Sequence, residues 1–443
     1  MKWCRIKLFF ICGIFLLTGC ARTYNQQITP VKNSIQSEDF EGAVSSIEDT
    51  KIGEQYRNRL LYHLEAGLLY HLAGDYHQSN YFLERAEWIS DEMYTRSISA
   101  EAASMLTSDL SLPYRGEYYD YLFTNYYKLL NYLYLGQLES ALVEVRRINH
   151  KHTLFDETKA FLHYLAAVLY QVNGQNNEAF IEYQKALRAY REKYPEQYGL
   201  NMPRSLARDI SVFCLETRFP RCNEFPGDVK GVYTPPESYG QVIFITETNF
   251  IPHKEERTIE AAIPQNLREK HSHILGNQYY IKVAMPEYTS FDNTAESARL
   301  NINGQYFNMD LVEDLGRVAK EHFDREKSKI MARAVVRAVS KYVSYRAVKG
   351  SREEDEENDE DAGRLREILA TVVNIFGTAT ERADTRSWLT LPNRIFFSRQ
   401  YLKPGDYTFR VEIKTGKGRF RTVDKNLTVE EGEVKFISLR KFN

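Results

Sequence analysis

Cysteine is scarce in this chain: there are five in 443 residues, and only Cys214 and Cys222 lie beyond position 20. No cysteine or histidine cluster has the ligand spacing of a structural zinc site. His150 and His152 stand two apart, as do His271 and His273. With no third ligand beside either pair, both read as solvated surface residues. Charge of one sign is missing too, with 58 basic against 60 acidic residues. That balance lacks the basic excess of a nucleic-acid binder. Beyond the first twenty residues no stretch is long and apolar enough to cross a bilayer. Nucleophile elbows, P-loops, dinucleotide fingerprints and His-Glu-x-x-His are all absent. The sequence therefore offers no catalytic residue, metal ligand or cofactor site to name. Carboxylates are plentiful, so a carboxylate-pair hydrolase stays open as the alternative.

What is present begins at the N-terminus. Lys2, Arg5 and Lys7 precede the uncharged run Leu8 to Leu17, and Leu17-Thr18-Gly19-Cys20 follows. A basic start, a short apolar core and small residues before a cut are the layout of a secretory signal. The last four residues resemble the lipobox of bacterial lipoproteins. That resemblance implies a diacylglyceryl group on Cys20 and removal of residues 1–19. Several acyl chains on one residue make a stable membrane anchor. Ala21 and Arg22 follow the cysteine with no aspartate, which resembles the outer-membrane sorting class. Residues 20–37 are polar and read as a flexible tether. Without Lys2, Arg5 and Lys7 the basic count falls from 58 to 55 against 60 acidic residues, a formal charge of −5.

Residues 38–215 read as helical, with an internal repeat. Tyr170, Gly174, Ala179, Tyr183 and Ala186 share their spacing with Tyr132, Gly136, Ala141, Val145 and Ile148, and with Tyr70, Gly74, Ser79, Leu83 and Ala86. This is the spacing of the tetratricopeptide repeat. Glycine permits a tight turn between two helices, small residues let them approach, and large ones fill the gap. Each hairpin leaves an apolar face for the next, so the repeats must stack. Gly74 and Gly136 are 62 residues apart, which leaves room for an extra helix around Glu92 to Asp109. Such arrays present a concave groove to a partner. Tyrosine is dense between 118 and 134, and Tyr126 and Tyr127 are either core residues or groove-lining contacts.

Prolines and glycines between 216 and 238 mark a connector. Cys214 and Cys222 flank its start. An isolated pair in an exported chain reads most simply as a disulfide, and two free buried thiols are the other reading. Residues 239–443 alternate between strand patterns and a helical insertion at 309–378. Strands are expected at 241–246, 258–263, 279–284, 299–302, 387–391, 394–398, 406–413, 420–429 and 433–439. Helices are expected at 309–349 and 364–376. The acidic run 353–361 lacks the ligand spacing of a calcium loop and reads as solvated. The fold class is therefore multidomain: an all-α tetratricopeptide-like array followed by an α+β domain with a β-sandwich-like sheet.

The stretch Thr380-Glu381-Arg382-Ala383-Asp384-Thr385-Arg386-Ser387-Trp388-Leu389-Thr390-Leu391-Pro392 is similar to a signature of uncharacterised bacterial lipoproteins with a tetratricopeptide-like N-terminal half. The resemblance implies architecture and an envelope location, and sets the peptidoglycan-synthesis machinery among the expected partners. If this stretch is extended, Asp384, Arg386 and Trp388 share one side. They form either a binding site or a structural ion pair beside a core tryptophan. The sequence reading is thus a lipid-anchored, non-catalytic scaffold. Its membrane contact runs through lipid, and an envelope protein is held by the repeats. The alternative is a cell-wall or polysaccharide enzyme with its site in the C-terminal domain.

Overall fold

The computed structural model describes residues 22–100, 110, 112–155, 159–229, 235–236, 238–277, 279–289, 295–350, 382–422 and 424–442. For 94–100, 344–350 and 421 only the backbone is described. Cys20, the acidic run 353–361 and the helix expected at 364–376 lie outside these residues.

The segment expected as a tether is a helix, α1 (Tyr24–Gln36). Thr23 accepts from Gln26 N–H, and the Gln26 side chain accepts from Thr23 N–H, closing a capping box. Tyr24, Ile28, Val31 and Ile35 are buried, and their spacing puts them on one face. A thirteen-residue helix is marginal in isolation, so packing against the next helices, α2 (Phe40–Glu48) and α3 (Arg59–Ala73), holds it. A polar composition with Pro30 hid a four-residue apolar stripe.

Three hairpins follow: α3 with α4 (Tyr76–Ala100), α5 (Tyr118–Tyr134) with α6 (Leu138–Phe155), and α7 (Ala160–Val172) with α8 (Asn176–Glu192). Each turns on a glycine in the left-handed region, Gly74 (φ 84°), Gly136 (69°) and Gly174 (71°). In each, the residue after the glycine donates its N–H to the repeat tyrosine's carbonyl: Tyr70, Tyr132 and Tyr170, at 3.0, 2.8 and 2.9 Å. The small positions Ser79, Ala86, Ala141, Ala179 and Ala186 are all fully buried. The described part of the expected extra helix, Glu92–Ala100, is a continuation of α4. Beyond α9 (Tyr194–Tyr198) and α10 (Arg204–Thr217), Cys214 and Cys222 are disulfide-bonded with Cα atoms 5.7 Å apart. The bond ties α10 to the connector.

The C-terminal half is one mixed eight-stranded sheet and a separate ribbon. The sheet comprises β1 (Gly240–Thr248), β4 (Ala295–Ile302), β5 (Gln305–Asp314), β6 (Arg394–Leu402), β7 (Gly405–Thr415), β8 (Gly418–Arg421), β9 (Lys425–Val429) and β10 (Val434–Lys441). Its order is β10-β1-β6-β5-β4-β7-β8, with β9 also on β7, and β1 runs parallel to β10. The sheet curls around an interior of Val242, Phe244, Leu300, Phe396, Phe409, Val411 and Leu427. Its outer face, carrying Ile243, Ile245, Ile395 and Phe397, belongs to the same core as the helical array. β2 (Lys254–Ala262) and β3 (Tyr280–Tyr288) form the ribbon. The short helices α11 (Gln265–Lys270) and α12 (Ser272–Leu275) connect its strands. The long helix α13 (Leu315–Gly350) packs on the ribbon through Ala334, Val335, Ala338 and Val339.

Three parts of the C-terminal half depart from the sequence reading. Residues 420–429, expected as one strand, fall into β8 and β9, each paired separately with β7. Residues 309–314, expected as helix, finish strand β5. The helix starts only at Leu315, where the Asp314 carboxylate accepts from Arg317 N–H at 3.0 Å. Residues 387–391, expected as strand, form an irregular segment with no ladder partner. Its backbone is held instead by Glu65 of α3, which accepts from Leu389 N–H, by Arg440, which donates to the Thr390 carbonyl, and by Ile251 N–H, which donates to the Leu391 carbonyl.

Candidate functional site

The first helix of each hairpin faces the sheet. The concave side, where a partner was expected, is therefore filled by the chain's own C-terminal half. Tyr126 and Tyr127 show how. Both are fully buried, and both hydroxyls donate to the Glu247 carboxylate of β1, at 3.1 and 3.0 Å. Arg440 of β10 completes that carboxylate at 2.9 Å and also donates to the carbonyls of Asn249 and Thr390. The groove-lining reading of these two tyrosines is thus corrected: each bonds the sheet of its own chain. Burial pushes both phenols far up.

The same pattern recurs along the seam. Glu65 of α3 accepts from Tyr24 at 2.7 Å, Leu389 N–H at 2.8 Å and the Thr390 hydroxyl. Burial raises its carboxyl, and the three donors oppose that. Asp209 of α10 accepts from Tyr164 at 2.6 Å, with the Arg399 guanidinium 3.8 Å away, all deep in the interior. Glu313 accepts from Tyr194 at 2.9 Å, and burial pushes its carboxyl up to about 7. Burial does the same to Asp120, up to about 7, although Tyr114 donates to it at 2.6 Å. Glu65, Asp209 and Glu313 tie helices of the array to the C-terminal half, and Asp120 caps a helix. Each accepts from donors of this chain, although Asp120 Oδ1 is buried without a hydrogen-bond partner among the described residues.

The Asp384–Arg386–Trp388 segment is part of this seam. Arg386 is 3 % exposed. It pairs with Asp384 at 2.6 Å and donates to the carbonyls of Arg57 and Leu112 at 2.9 and 3.0 Å. Trp388 is fully buried, its ring 6.0 Å from that of Tyr127. The three residues do not line up as an exposed face. They lock the sheet's irregular entry onto the start of the array. His150 and His152, expected as solvated surface residues, sit on α6: the first is exposed, but the second is buried with its ring 4.4 Å from His163. Among the described residues no group of three or more His, Cys, Asp or Glu is placed to hold a metal ion.

What remains open lies outside. The second helices of the first two hairpins form the outer surface, and α4 carries its most exposed aromatics. α8 is covered instead, with Tyr190 donating to the Val312 carbonyl of β5 and Phe180 against Phe219 and Phe225. Tyr81 is 58 % exposed and Trp88 56 %. Their seven-residue spacing, with Arg85 between, makes one ridge. The Arg85 guanidinium lies 5.7 Å from the Trp88 ring, and Arg59 reaches Trp88 at 5.9 Å and Tyr56 at 5.0 Å. Tryptophan, tyrosine and arginine are the residues that dominate binding energy at interfaces. Sequence reasoning missed this ridge, because a repeat pattern marks which α4 residues are buried and says nothing of the outward ones. It also missed Glu65, Glu247 and Lys128. The available signal was a single charge inside an otherwise apolar run, such as Lys128 in Tyr126-Tyr127-Lys128-Leu129-Leu130.

No family model, no curated protein and no solved structure matches this chain.

Proposed function

We propose that this chain is a lipid-anchored, non-catalytic scaffold of the bacterial cell envelope, held at the outer membrane through Cys20 and facing the periplasm. The anchor rests on Leu17-Thr18-Gly19-Cys20. The scaffold reading rests on one structural observation. The concave side of the array is consumed by the chain's own sheet, while the Tyr81–Arg85–Trp88 ridge stays exposed on the outside. A protein partner therefore docks on α4's outer face and not in the groove. The similarity of residues 380–392 to lipoprotein signatures supports an envelope partner, with the peptidoglycan-synthesis machinery as the first candidate. An enzyme of polysaccharides would need paired carboxyls open to a cleft. The two carboxyls raised furthest, Asp120 and Glu313, are instead 2 % and 0 % exposed and bonded to tyrosines. This favours the non-catalytic reading.

The test is site-specific photocross-linking from positions 81 and 88 of the lipidated chain in intact envelopes. One discrete adduct is expected from both positions, lost when Arg85→Glu reverses the ridge's charge. Adducts unaffected by that change, or none at either position, would sink the ridge. Release of soluble fragments from purified peptidoglycan by the pure chain would favour the enzyme.

A further inference from the structure

We infer that this chain does not hang from its anchor on a tether but seats a defined arginine-bearing face on anionic lipid headgroups. The inference rests on the Cys20 anchor proposed above. Tyr24 is 5 % exposed and its hydroxyl is held by Glu65 at 2.7 Å. From Cys20 to Tyr24 is four residues, at most about 14 Å of extended chain. The body is thus leashed so closely that whatever surrounds Arg22 and Thr23 must lie against the headgroups.

The surroundings match that position. A cavity of about 480 Å³ opens beside the start of α1, and Arg22, Arg57 and Arg382 line it. All three are exposed. Arg57, among the described residues, bonds only neutral acceptors, the Gln55 side chain and the Leu110 carbonyl. Among the described residues none of the three has an ion-pair partner. Two acids share the cavity wall, Glu256, which accepts from Ala383 N–H at 2.7 Å, and Glu255, which lies 3.2 Å from His253, and the three guanidinium groups outnumber them. Three guanidinium groups from α1's approach, the α2–α3 connection and the residues before β6 thus converge where the leash enters. Guanidinium suits phosphate oxygens, which it can grip in pairs. A basic residue near an anionic bilayer contributes about a fivefold gain in affinity, so three together give about a hundredfold.

The test uses the mature chain from residue 20 with Cys20→Ser, which keeps every described residue and removes the acyl chains. Its sedimentation is measured with phosphatidylcholine vesicles, with and without phosphatidylglycerol. Binding is expected only with the anionic lipid and should weaken as salt rises. Replacing Arg22, Arg57 and Arg382 together by Gln should weaken it about a hundredfold, and replacing them by Lys should restore most of it. An unchanged circular dichroism spectrum controls for folding. Equal binding to both vesicles, no binding, or full binding by the Gln variant would overturn the seat. So would loss of a cross-linked envelope protein, with vesicle binding unmoved, in the Gln variant. The anchor is checked apart, by the mass of the N-terminal peptide of the full-length chain made in a bacterium. Lipidated Cys20 with no vesicle preference would overturn the seat alone. Unmodified Cys20 with the preference intact would overturn the anchor alone.

Discussion

At the scale of single residues, ionisable groups hold the two halves together. Glu247 and Arg440 meet at 2.9 Å with both side chains 2 % exposed. Removing one partner of such a pair strands the other charge in a low-dielectric interior. Arg440→Ala is therefore expected to lower the unfolding free energy by about 3–5 kcal/mol in denaturant titration. A loss under 1 kcal/mol would mean that the two tyrosines suffice. Glu313 makes a pH-dependent contribution. Burial raises its carboxyl from 4.5 to about 7, so the folded chain holds this proton more tightly than the unfolded chain does. Its contribution is full below about pH 4.5, falls as pH rises, and is gone above about 7. Glu313→Gln keeps the group neutral throughout. The variant should gain on the parent by on the order of 3 kcal/mol between pH 4.5 and 7.5. Parallel stability curves would show that Glu313 does not titrate in this window.

At the scale of elements, the hairpins depend on backbone geometry that the repeat tyrosines and glycines share. Around Gly74, Gly136 and Gly174 nothing lies within 4 Å of an added Cβ, and each has positive φ. Alanine at any of them meets no clash and carries only the left-handed penalty, about 1–2 kcal/mol. The three single substitutions should cost nearly the same. Being far apart, they should also add in the triple variant. Unequal costs in thermal melts would mean that the turns are not equivalent. α1 follows a different logic. Its cap is local, but its buried stripe has meaning only because α3 offers Glu65 and an apolar surface to cover.

At the scale of the whole molecule, the array and the sheet's outer face share one core, running from Tyr24 to Phe442. A chain built this way should unfold in one cooperative transition in calorimetry, with residues 38–215 unable to fold alone. Two separated transitions would show that the halves are independent. The closed concave side also directs experiments on partners to outward surfaces, because deleting the array would expose the sheet's apolar face and confound any loss of binding. The satellite core between α13 and the β2–β3 ribbon is a separate cluster, joined to this body through Val318 and Ala319 of α13, Tyr288 of β3 and the Lys254–Glu117 ion pair.

Residue spacing alone determined the features that are local in origin. The hairpin turns at Gly74, Gly136 and Gly174, their buried small residues, and most strands of the C-terminal half follow from periods of 3.6 and 2 and from glycine's freedom at positive φ. The fold class was legible for the same reason. Tertiary structure decided what covers each apolar face. Tyr126 and Tyr127 look alike whether a partner or the chain's own Glu247 lies opposite, because the covering group is 120 residues away in sequence. Residues 309–314 fit either period, and pairing with β6 made them strand. Residues 387–391 have strand composition, yet Glu65 of the array and Arg440 of β10 took their hydrogen bonds. Residues 24–36 pass for a tether until α3 supplies a surface. A sequence carries its own periodicity, but a contact needs the second surface, and only folding brings that surface near.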